Sequence, residues 1–169
     1  MALSAPSTVL SWLSSQIQNT DMMPVDASAN TGGGLIYAGG FIGLNGATGY
    51  IRRWQASDSF VGVAARSGSN VATATPLDRY AGGAIGSGSA GGLKVPVITH
   101  GYILWRGSIT GLAATVAAAD TVVYCSADDT ITTTGGGANA KIGVVRRYDT
   151  DLGAFVIEIV GKIDKDAVS

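Results

Sequence analysis

Apolar positions in this chain come in short bursts divided by glycine, serine, threonine, asparagine and aspartate. That spacing predicts strands and tight turns. From Leu35 onward the first predicted strands are Leu35–Tyr37, Phe41–Leu44, Tyr50–Trp54, Phe60–Arg66, Lys94–Thr99 and Tyr102–Ile109. Val122–Ser126, Thr130–Thr134, Ile142–Tyr148 and Ala154–Lys162 complete the set. Asn45-Gly46 and Ala127-Asp128-Asp129 supply turn chemistry between them. One helix is predicted near the start, where Ser7 can cap it and Leu10, Leu13 and Ile17 follow at i, i+3, i+7 spacing with Trp12 beside them. At about eleven residues that helix is marginal alone and needs a surface to pack on. The elements predict an all-β domain, a small β-barrel or β-sandwich with glycine-rich hairpins over residues 27–162. An N-terminal arm (1–26) precedes it and a short tail (163–169) follows.

The two halves of the chain repeat weakly. Leu35-Ile36-Tyr37 is similar to Val122-Val123-Tyr124, and Phe60–Arg66 to Lys141–Arg147; Lys94–Ile98 then corresponds to Ala154–Glu158. Chance likeness between glycine-rich strands is the competing explanation. If the repeat holds, most of Ser67–Leu93 is an insertion into a hairpin, against only Tyr148–Gly153 in the second half. Within it, Leu77, Arg79 and Tyr80 are the side chains able to anchor on a neighbouring chain, and Ala81–Gly92 reads as slack. Gly86-Ser87-Gly88-Ser89-Ala90-Gly91 matches G-x-G-x-x-G literally. It lacks the preceding strand and following helix of a dinucleotide site, and reads as a flexible loop.

Composition narrows the function. Of 169 residues only 14% are charged while 46% are hydrophobic, and glycine contributes 25. A surface this poor in charge suits a protein that sits against other proteins. The net charge of −1 gives no electrostatic footprint for nucleic acid or an anionic membrane. The uncharged run Ala27–Ile51 is too interrupted by glycine to span a bilayer, and no positive n-region precedes Arg52, so neither membrane insertion nor a secretory signal is expected.

Chemistry-bearing residues are sparse. His100 is the sole histidine and Cys125 the sole cysteine, so a catalytic role for either is not expected, and neither a metal nor a cofactor is. Asp128-Asp129 and Asp149-Thr150-Asp151 read as solvated turn carboxylates, short of a calcium loop. Arg52-Arg53-Trp54 and Arg146-Arg147-Tyr148 pair basic with aromatic residues. With balanced charge, protein contacts or protection of a strand edge are the favoured roles over single-stranded nucleic acid.

The succession Met23-Pro24-Val25-Asp26, Leu35–Asn45, Gly49-Tyr50, Asp58–Ala64, then His100-Gly101-Tyr102, Val122–Thr132 and Ile142–Val145 resembles the cement (decoration) proteins of tailed-bacteriophage heads. The resemblance implies a non-enzymatic structural protein of the virion, a homotrimer on the outer surface of the capsid that clamps neighbouring major capsid subunits. Leu10, Trp12, Leu13 and Ile17 of the arm, with Leu77, Arg79, Tyr80, Arg52, Arg53 and Trp54, are then the expected protein-contact residues. The rival reading folds the arm back onto its own domain. Two other classes stay open: a carbohydrate- or receptor-binding module using exposed Trp and Tyr, and a small enzyme built on His100.

Overall fold

The structure, a computed structural model, describes residues 10–12, 19–56, 58–71, 84–115 and 118–161. Its strands are β1 (Leu10–Trp12), β2 (Asn19–Pro24), β3 (Leu35–Ile36), β4 (Phe41–Leu44), β5 (Ile51–Arg53), β6 (Ser59–Ala64) and β7 (Gly68–Ser69). β8 (Ala84–Ile85), β9 (Lys94–Trp105), β10 (Ile109–Thr110), β11 (Thr121–Ala127), β12 (Thr130–Thr132), β13 (Ala140–Asp149) and β14 (Ala154–Val160) follow. Eleven of them form one mixed sheet in the order β10-β12-β11-β13-β14-β9-β6-β4-β5, with β1 and β2 also paired to β9; β3-β7-β8 make a small second sheet. The all-β expectation holds.

The N-terminal helix does not. Leu10–Trp12 is a strand antiparallel to β9, with Leu10 opposite Trp105 and Trp12 opposite Ile103. A marginal helix loses to a long strand edge that pairs the backbone groups directly. Leu13 and Ile17 lie outside the described residues. The expected arm also ends early, because β2 pairs with β9 along its whole length and Met23 and Val25 are buried with Ile42, Val61 and Val95.

The strands expected on either side of His100-Gly101 are one strand, β9. Neighbours carry the ladder through the glycine. β14 runs from Phe155 opposite Trp105 to Val160 opposite His100 on one edge, and β2 runs from Asn19 opposite His100 to Pro24 opposite Lys94 on the other. β9 is therefore the spine to which both halves of the domain attach.

The internal repeat is visible in the pairing. Val63 opposes Ile98 and Ala64 opposes Val97; at the equivalent positions Val144 opposes Glu158 and Val145 opposes Ile157. A Cβ on Gly62 would lie 2.2 Å from the Ile98 carbonyl oxygen, and one on Gly143 would lie 1.9 Å from that of Glu158. Shared register and shared close approach are not what chance likeness produces. The remaining correspondence is corrected: β3 pairs with β7 away from the main sheet, and the partner of β11 in the repeat is β4, where Ile42 faces Gly62 as Val123 faces Gly143.

Between β6 and β9, β7 pairs antiparallel with β3 and parallel with β8. Parallel neighbours need a crossover of about a dozen residues or more, which the stretch 70–83 supplies. Leu77, Arg79 and Tyr80 lie outside the described residues. Ala84–Gly92 is not slack, because Gly86 N–H donates to Ser69 O (2.7 Å) and Gly91 N–H to Val25 O (2.8 Å). Replacing this whole stretch by a short turn would remove part of the framework.

One apolar cluster joins Phe41, Trp54 and Phe60 to Trp105, Val123, Ile142, Phe155 and Ile157, so residues from both ends of the sheet order share a core. Phe41 stacks on Trp105 (centroids 5.8 Å apart) and meets Phe60 edge-on (6.1 Å). A second cluster lies under β2, around Val25, Ile36, Ile51, Val95 and Val97.

Candidate interaction site

Asp26, two residues past the end of β2, is 0% exposed and organises one end of the domain. Its Oδ1 accepts from Ala27 N–H (2.8 Å) and Asn30 Nδ2 (2.9 Å); its Oδ2 accepts from Asn45 Nδ2 (2.8 Å) and the Thr48 hydroxyl (3.2 Å). Burial pushes the carboxyl up, but the hydrogen bonds, led by Asn45, outweigh it and hold the pKa below the usual value. Asn70, also 0% exposed, continues the network. It donates from Nδ2 to Asp26 O (2.9 Å) and Ser89 O (2.7 Å), and accepts from Gly88 N–H at Oδ1 (3.0 Å). A Cβ on Gly86 would come within 2.3 Å of that same oxygen, so the literal glycine motif serves close packing around Asn70. Nothing in the sequence around Ser69-Asn70 separated this asparagine from an ordinary loop residue.

The two basic-aromatic triplets differ in the partners that hold them. Arg52 makes a two-pronged ion pair with Asp58 (2.9 Å from Nε, 2.8 Å from the terminal nitrogen) and also donates to Thr31 O (3.1 Å). Its pKa is raised, chiefly by the Asp58 hydrogen bond. Arg53 is half-buried beside it, and Trp54 is only 3% exposed because it belongs to the core. These three residues build the framework. Arg146 pairs with Glu158 and Asp120, Arg147 lies 3.7 Å from Asp149, and Tyr148 packs edge-on against Phe155 (5.0 Å).

Turn carboxylates divide. Asp149 caps its hairpin by accepting from Leu152 N–H (3.0 Å). Asp128 corrects the expectation of a solvated residue: it is 3% exposed, and its carbonyl accepts from Phe41 N–H (2.8 Å), which ties its turn to β4. Cys125 is buried in β11, and burial pushes its thiol up to about 12. His100 sits in the middle of β9 between Val160 and Asn19. Among the described residues no three of His, Cys, Asp and Glu gather into a metal-holding group.

The surface that stands out is beside β2. A groove of about 470 Å³ is lined by Thr20, Met22, Arg66, Ser67, Lys94 and Pro96. Met22 is 60% exposed, and Arg66 and Lys94 are both exposed. No sequence signal marked this groove, because its cations come from two strand ends far apart in the chain. In comparisons with known proteins, no family model matches the chain, and no curated protein or solved structure is similar to it.

Proposed function

We propose that this chain is a structural, non-catalytic virion protein that binds the outer surface of a tailed-phage capsid and bridges major capsid subunits as a homo-oligomer, a trimer by the resemblance. One observation carries the reading: the segments of the resemblance converge in space. Asp26 of the first segment holds Asn45 of the second, and the Asn45 N–H donates to Tyr50 O of the third (3.0 Å). The shared residues thus serve a common framework whose loops are set by hydrogen bonds. Such a framework supports binding to a shell, which needs complementary surface and stabilises the assembly by mass action. We also infer that the sheet curls into a small barrel, supported by the core shared between β4–β6 and β11–β14 and by the Phe41–Asp128 hydrogen bond. A carbohydrate-binding reading gains no support from Trp54 and Trp105, which are both buried.

The test is co-sedimentation of the purified protein with expanded heads stripped of decoration, with native mass measurement of the free protein. Saturable binding at a fixed ratio to capsid subunits, and heads that withstand higher temperature, are expected. Absence of binding to such heads, together with specific retention on a glycan array, overturns the proposal.

A further inference from the structure

The outer edge of β2 is a strand edge with a defined polarity. Ala65 N–H donates to Pro96 O (2.9 Å), so Pro96 turns its backbone toward β6 and away from β2. Met22 stands opposite Pro96 and therefore exchanges no hydrogen bonds with it; its own N–H and C=O point outward. Two residues on, Val25 N–H donates inward to Leu93 O (2.9 Å), and Pro24 falls on the outward side, where its missing N–H leaves the β9 ladder intact. Among the described residues β2 has β9 as its sole strand partner. Thr20, Asp21 and Met22 are all exposed.

Charge says what would lie there. The groove lies on the face of the sheet over Pro96, between β2 and the end of β6; Lys94 and Arg66 border it, no carboxylate lines it, and neither cation has an ion-pair partner among the described residues. Elsewhere the exposed guanidinium of Arg146 is matched with acids of its own chain. A second copy of β2 would bring another Arg66 and Lys94 against the first pair, which like-charge repulsion disfavours.

We propose that the β2 edge and its groove bind an extended, acidic segment of another protein by strand addition. The backbone of the segment pairs with Thr20 and Met22, its alternate carboxylates turn to the groove face toward Lys94 and, beyond Pro96, Arg66, and its other side chains fall on the opposite face. This inference does not depend on the capsid reading.

The test is NMR titration of the isotope-labelled full chain with a blocked peptide of alternating valine and aspartate. Two control peptides accompany it, one with lysine in place of aspartate and one N-methylated on alternate amides. Shifts confined to Thr20, Met22, Arg66, Lys94 and their neighbours are expected from the acidic peptide alone. Arg66→Glu with Lys94→Glu should weaken its binding about tenfold or more, a change of ~1.4 kcal/mol or above. The milder pair Arg66→Gln and Lys94→Gln should show the same direction if the reversals disturb folding. Equal binding of the lysine or N-methylated peptide, no shifts at millimolar acidic peptide, or equal binding by the charge variants overturns the proposal. The same shifts produced by polyphosphate at equal strength would reduce the site to an anion contact. Concentration-dependent shifts at β2 without peptide would assign the edge to a second copy. Either result also overturns it.

Discussion

Replacing Asp26 by asparagine keeps the shape of the side chain and removes one acceptor oxygen and the charge. Whichever way the new amide turns, its NH₂ faces two donors. Toward Oδ1 these are the Ala27 N–H and Asn30 Nδ2; toward Oδ2 they are Asn45 Nδ2 and the Thr48 hydroxyl. The second orientation is the less costly, because the hydroxyl of Thr48 can rotate and accept. Asn45 cannot reverse its amide as easily, since its Oδ1 already accepts from Ala47 N–H (3.1 Å). One buried donor is then left unpaired and the bonds on the other oxygen lose their charge assistance, so Asp26→Asn should cost about 2–3 kcal/mol. For a domain of this size that lowers the midpoint by roughly 5–10 °C. Urea unfolding followed by circular dichroism at neutral pH measures it. The acid limb gives an independent check. The folded pKa lies below the ordinary 3.8, so the stabilisation is complete above the unfolded value and is lost as pH falls through the folded one. The parent should therefore lose this contribution on acidification below about pH 4, and the gap to the variant should narrow there. A variant within ~0.5 kcal/mol of the parent at pH 7, with a constant gap at low pH, would refute the hub assignment.

Gly62→Ala and Gly143→Ala should each destabilise by about 1–3 kcal/mol or more, since the added methyl meets a strand carbonyl. Gly46→Ala, with nothing within 4 Å, should change the thermal midpoint little, and equal effects at all three would remove the structural basis of the repeat. Cys125, buried and with its thiol pushed up to about 12, should resist a chromogenic disulfide reagent at pH 8 until denaturant is added; prompt labelling of native protein would contradict its placement.

Local pattern alone was enough for the class of the fold, most of the strands from Phe41 onward and the repeat. Alternation, β-branched residues and turn pairs such as Asn45-Gly46 act over a few residues, and their physical effect is local. What depended on partners distant in the chain could not be read that way. Leu10–Trp12 carries helical spacing, yet β9 offers it a ladder. His100-Gly101 looks like punctuation, yet strands on both edges run through it. Trp54 and Asp128 look like surface residues in their own segments and are buried by residues brought from elsewhere. Asn70 shows the limit most plainly: its chain neighbours are unremarkable in composition, and its role exists only because Asp26, Gly88 and Ser89 arrive around it. The same holds for the groove, where Met22, Arg66 and Lys94 become one surface only when β2 and the end of β6 are set against β9. Burial and hydrogen-bond satisfaction are properties of the assembled chain, and no window of sequence contains them.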